Sequence, residues 1–146
     1  MKTEKKLEEK IIKAEELLPG VGDQLKPKFI KTIGGGYQID VTDVEYLEVG
    51  EHKVVAAKWQ RECLAYGRSE IMEFVTVYFP SEEGKLKKVV PENIFVRNFY
   101  KSCYDRDDLF DKFPYVSLEN LAKDQIKVAW LDKDKKKWPT YVVELK

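Results

Sequence analysis

His52, in "VGEHK", is the only histidine of the chain, and Cys63, in "QREC", is one of only two cysteines. Together they make the one conceivable Cys–His pair. A histidine serves as general base when a carboxylate orients it and a nucleophile lies within hydrogen-bond reach. His52 falls in a stretch that reads as a turn, Cys63 follows an apparent strand, and nothing beside Cys63 marks the thiol as activated. The expectation is an exposed turn histidine, a structural cysteine and no catalytic residue.

Two carboxylate sets have the spacing of a Mg²⁺-dependent nuclease, in which acids on adjacent strands hold the metal and a lysine stabilises developing charge. Asp43 with Glu51-His52-Lys53 is the better match, and Asp124 with Asp134-Lys135-Lys136 the poorer. Both second elements read as turns, where ligands are loosely held, so a nuclease is only the third-ranked alternative. The acidic cluster "DRDDLFD" (105–111) fails as an EF-hand: that loop needs a ligand at 109, glycine at 110 and glutamate at 116, and the chain has Leu109, Phe110 and Val116. It reads as a solvated turn. No metal or cofactor is expected.

A third constellation is basic and aromatic. Lys85, Lys87 and Lys88 precede Phe95, Arg97, Phe99, Tyr100 and Lys101. Lysines on phosphates beside stacking aromatics are how small barrels hold single-stranded nucleic acid. The same lysines suit an edge strand guarded against aggregation. These eight residues form the candidate binding surface.

The glycine triplet of "KTIGGGYQIDV" resembles a phosphate cradle only superficially. Such loops must open a helix, whose N-terminus supplies amides and dipole. Here Tyr37 opens an alternating run, so the triplet is expected to turn a β-hairpin.

The elements that would position these residues follow from periodicity. Residues 4–18 place Leu7, Ile11, Ala14 and Leu18 at helical spacing, and Pro19-Gly20 stops the run. From Gly22 on, strand-like runs dominate. In "YQIDVTDVEYLEV" Asp43 breaks the alternation, which predicts a bulge. In "EIMEFVTVYF" Ile71, Val75, Val77 and Phe79 share one face and Met72, Phe74 and Tyr78 the other, the pattern of a strand covered on both sides. Ser117 before Leu-Glu-Asn-Leu predicts an N-capped short helix through about Lys123. Ile126, Val128 and Trp130, then Tyr141, Val143 and Leu145, alternate on either side of "DKDKKK", a terminal hairpin. Trp59, Trp130 and Trp138 are expected as core or interface anchors.

Composition sets the class. With 26 basic and 26 acidic residues the net charge is zero, which gives no global steering toward nucleic acid or an anionic membrane. Two cysteines exclude a disulfide framework, and no apolar run approaches the ~20 residues of a membrane span. The start, Met-Lys-Thr-Glu-Lys-Lys, lacks an apolar signal core, so the expected location is cytoplasmic. Abundant lysine with little alanine fits an AT-rich bacterial or viral genome.

The order of parts in residues 21–100 resembles a small SH3-like barrel of the Tudor or KOW type. "VGDQLKPKF" is similar to the opening strand, "KVVAAKW" and "EFVTVYF" to central strands, and "KKVVPENIFV" to the closing strand, one-turn helix and last strand. The resemblance implies a recognition module rather than an enzyme. Tudor members use an aromatic cage for methylated side chains; KOW members bind nucleic acid or polymerase and ribosomal proteins. No complete cage aligns here, so no binding residue is carried over.

The expected fold is β-rich α+β: an SH3-like barrel or strongly twisted antiparallel sheet, with an N-terminal amphipathic helix and a C-terminal β-hairpin. Residues 1–20 form the helix, 21–100 the barrel-like core, and 101–146 an extension of short helix plus hairpin within the same domain. The expected function is a non-enzymatic module that recognises a protein partner, in the manner of a viral or mobile-element modulator of a host complex. Nucleic-acid binding through Lys85–Lys101 is the alternative.

Overall fold

The computed structural model describes residues 2–32, 35–65, 68–89, 97–102, 115–131, 134 and 137–145. Among the described residues two helices, α1 (Lys2–Leu17) and α2 (Val21–Gln24), precede nine strands. These are β1 (Lys28–Thr32), β2 (Gly35–Val49), β3 (His52–Ala65), β4 (Arg68–Pro80), β5 (Leu86–Val89), β6 (Arg97–Ser102), β7 (Tyr115–Ala122), β8 (Gln125–Leu131) and β9 (Lys137–Glu144). The first six make one antiparallel sheet in the order β1-β2-β3-β4-β5, with β6 also on β4; β7-β8-β9 make a second. The larger sheet is curled into a half-barrel, so the β-rich α+β architecture is as expected.

α1 forms where the stripe predicts. Ala14 and Leu18 are buried, with Leu7 and Ile11 half-buried beside them. Gly20 ends this region in the left-handed conformation, φ 98°, which glycine adopts without strain. The single turn α2 was not foreseen. Its first amides are met by a side chain from α1: Glu15 accepts from Gly20 N at 2.8 Å and from Gly22 N at 3.0 Å.

The triplet closes a hairpin. Thr32 pairs with Gly35 and Lys31 with Gly36, which leaves two residues for the connection. The bulge also falls where the polar residue interrupts the pattern. The β2–β3 register shifts between Val41 and Asp43, and Thr42 Oγ1 donates to the Lys58 carbonyl at 3.3 Å.

β3 explains the layering. Val54 and Ala56 belong to the core shared with Val116, Ile126, Val128, Val143 and Leu145 of the second sheet and its end. Val55, Ala57 and Trp59 belong to the core beneath α1 and α2. The large sheet is therefore covered on both faces, hence the unbroken apolar run "VVAA". β4 obeys the same division: Val75, Val77 and Phe79 face the second sheet, and Tyr78, with Phe74 partly buried beside it, faces the helices. Trp59 is a core anchor, stacked on Phe74 at 6.0 Å between ring centroids, with Nε1 donating to Thr76 Oγ1 at 2.7 Å.

One expectation is corrected. Residues 115–122 form β7, not a capped helix, and pair with β8 from Tyr115↔Leu131 to Ala122↔Gln125. Packing overrides the cap signal. Strand alternation places Val116 and Leu118 together on the core, with a bulge at Asn120/Ala122. The terminal hairpin forms as expected, as β8 and β9.

Candidate functional site

The catalytic candidates lie apart. His52 opens β3 and Cys63 stands near its far end, eleven residues and about 36 Å along the strand, so they form no dyad. His52 Nε2 instead meets Asp124 Oδ1 at 3.0 Å. This joins the β2–β3 turn to the β7–β8 turn, where Asp124 also accepts the Leu145 N–H through its carbonyl.

The nuclease sets are separated too. β2 and β3 close with Val49↔His52, so Glu51 is at the hairpin tip while Asp43 is six residues down β2, about 20 Å away. Asp124 and Asp134 flank opposite ends of β8. Among the described residues no three His, Cys, Asp or Glu side chains gather to hold a metal ion. The cluster 105–111 lies outside the described residues.

Asp43 has other work. Its Oδ1 meets Lys10 Nζ at 3.1 Å and its Oδ2 accepts the backbone N–H of Val116 at 2.8 Å. Lys10 also reaches Glu45 at 3.0 Å. Burial by itself would lower the pKa of Lys10, but the two carboxylates outweigh it and raise the value above the ordinary lysine range. Lys58 stands directly opposite Asp43, and its Nζ lies 3.7 Å from Glu73 Oε2, with both side chains buried. Asp43, Lys58 and Glu73 are buried, whereas Lys10 and Glu45 keep part of their surface. The sequence pattern singled out neither Lys58 nor Glu73.

The basic and aromatic stretch does come to one edge. β5 pairs with residues 77–80 of β4 and β6 with residues 68–73, so the two strands follow one another along the same side. Lys85 lies near Glu83 at 4.0 Å, and Lys87 Nζ sits 5.6 Å from the Phe79 ring centroid. Lys87 pairs with Phe79, Arg97 with Glu73, Phe99 with Ile71 and Lys101 with Ser69, all register positions of one face. Lys88, opposite Tyr78, and Tyr100, opposite Glu70, hold positions of the other. The stretch is thus divided between two faces. Phe95 lies outside the described residues.

The opposite edge carries the feature that sequence reading passed over. β1 is a terminal strand, and Lys28, Phe29, Ile30 and Lys31 are all exposed. Phe29 is 57% and Ile30 50% exposed; among the large exposed apolar side chains of the described residues, they alone are sequence neighbours. Behind them the Arg61 guanidinium lies 4.8 Å from the Tyr37 ring centroid, and Tyr37 pairs with Ile30. The signal was present in "KPKFIKT": two large apolar residues between lysines on a short strand.

The fold and this edge define a β-rich α+β protein whose curled sheet is covered on both faces and presents apolar side chains along a strand that is terminal among the described residues. No protein-family model, curated protein or solved structure matches the chain. Among the described residues no helix is long and apolar enough to cross a membrane.

Proposed function

We propose that the protein is a non-catalytic recognition module that binds a protein partner by accepting an extended segment alongside β1. The observation that supports this is the adjacent exposure of Phe29 and Ile30 on a terminal strand. In an antiparallel pair every second residue turns its N–H and C=O away from its neighbour, so the outer side of β1 offers main-chain hydrogen bonds. Added strands bind through such bonds, and the alternating side chains supply specificity. The resemblance read from the sequence of residues 21–100 to SH3-like barrels would imply the same kind of work. Such a module would act by docking on a larger complex.

The second reading is nucleic-acid binding along β5 and β6, favoured by the succession of Lys87, Lys88, Arg97 and Lys101 on one edge. The division of that stretch between two faces ranks it below the first.

The experiment is a lysate pull-down, with and without nuclease, by the natural chain, by Phe29→Asp/Ile30→Asp and by Lys87→Glu/Lys88→Glu. A stoichiometric protein that survives nuclease and is lost only with the β1 variant supports the proposal. Recovery of nucleic acid alone, lost with the β5 variant and at raised salt, overturns it.

A further inference from the structure

We infer that the segment accepted by β1 is acidic, with the pattern acidic–apolar–apolar–acidic; this rests on the β1 reading above. The strand reads Lys28-Phe29-Ile30-Lys31, two exposed apolar side chains bracketed by two exposed ammonium groups. Successive side chains alternate between faces, so each face of the edge presents one lysine and one apolar group. A residue added opposite Lys28 or Lys31 therefore meets a cation, and one opposite Phe29 or Ile30 meets uncovered apolar surface.

The neighbouring strands reinforce the charge. Lys28 pairs with Ile39 and Ile39 with Arg61, so two cations flank one isoleucine across three strands. The same face carries Ile30 beside Tyr37, on which Arg61 lies. On the other face Asp40 accepts the Gln38 amide at 3.0 Å, and Glu62 is one strand further in, opposite Gln38. β1 itself has no acidic residue, and the nearest in sequence, Asp23, is paired with Lys26 at 3.0 Å.

The lysines do guard the strand. Edge lysines repel a second lysine-bearing edge, including another copy of β1. They leave the edge open to a strand that brings carboxylates to the same positions. The order Lys–apolar–apolar–Lys reads alike in both directions, so the chemistry of the partner is fixed while its polarity is not.

The test uses the whole chain and three blocked hexapeptides: Ser-Glu-Val-Val-Glu-Ser and its analogues with glutamine or lysine in place of both glutamates. Binding is followed by amide shifts of residues 28–32 in nitrogen-15-labelled protein. The acidic peptide should shift these amides and bind roughly tenfold more tightly than the glutamine peptide at low salt, the size expected of two exposed ion pairs. Lys28→Glu/Lys31→Glu should reverse the order in favour of the lysine peptide. Both positions are exposed, and Lys28→Gln/Lys31→Gln serves as the neutral control for folding. Equal binding of acidic and glutamine peptides overturns the acidic pattern and leaves the edge reading standing. If no peptide moves these amides, both fall. A concentration-dependent dimer lost on Ile30→Lys, or a single-stranded oligonucleotide that shifts the same amides more strongly, would assign the edge to another occupant.

Discussion

The carboxylate of Asp43 accepts the backbone N–H of Val116 at 2.8 Å, 73 residues further along the chain. One buried side chain thereby ties the bulged strand to the first strand of the second sheet, while its other oxygen holds Lys10 of α1. Asp43→Ala would leave the Val116 amide without this acceptor and remove the carboxylate opposite Lys58. The expected cost is about 3–5 kcal/mol, that of breaking one side of a buried charged network. Asp43→Asn keeps an acceptor for the amide and should cost less. Urea unfolding of both variants checks this; equal losses would deny the hydrogen bond its part.

Stability should fall in alkali. Burial of Lys10 works against its charge, but Asp43 and Glu45 prevail and raise its pKa. Burial likewise raises the pKa of Tyr78, against a hydrogen bond from Thr76 that lowers it. Both groups hold their protons more tightly folded than unfolded. Their contribution is complete below the unfolded values near pH 10 and is lost as pH rises through the higher folded values. The midpoint temperature should start to drop above about pH 10. Lys10→Met/Tyr78→Phe should be less stable at neutral pH and show a shallower alkaline decline. An unchanged decline would show that the two groups do not drive it.

What could be read in advance is what local pattern decides. Asp43 announced the bulge because a polar residue broke a strict alternation, and β4 announced its two covered faces by being apolar on both. The rest depends on distant partners. Ser117 looked like a cap, yet Val116 and Leu118 were claimed by the core that β8 and β9 build. α2 could not be foreseen because Glu15, which meets its amides, belongs to α1. Lys58 and Glu73 look like solvent-facing charges until the second sheet covers them. Phe29 and Ile30 look like ordinary strand residues until the fold leaves them uncovered.

The His52–Asp124 contact joins the β2–β3 and β7–β8 turns through side chains. Both side chains are partly exposed, so solvent screens the interaction. His52→Ala, Asp124→Ala and the double variant should give a coupling of about 0.5–1 kcal/mol in a double-mutant cycle. Hydrogen exchange at Leu145, whose amide is held by the Asp124 carbonyl, should quicken in both single variants if the side-chain contact steadies that turn. Additive effects with unaltered exchange would reduce the contact to an incidental one.

Gly36 is required by a close approach rather than by a turn. A Cβ there would stand 2.7 Å from Phe29 Cζ and 3.0 Å from the carbonyl oxygen of Ile30. The phenyl ring of Phe29 thus lies over bare backbone, which helps to keep an exposed aromatic on the edge strand in one place. Gly36→Ala should cost about 1–3 kcal/mol, the usual range for overpacking. Phe29→Ala should recover only part of that loss, because the carbonyl of Ile30 is backbone and cannot swing aside. Thermal unfolding of the two single variants and their double measures both numbers. The same substitution has a second effect if β1 is the docking edge. By displacing the ring it should weaken peptide binding at residues 28–32 by more than its loss of stability explains, and a Gly36→Ala protein that is folded but binds unchanged would place Phe29 outside the docking surface.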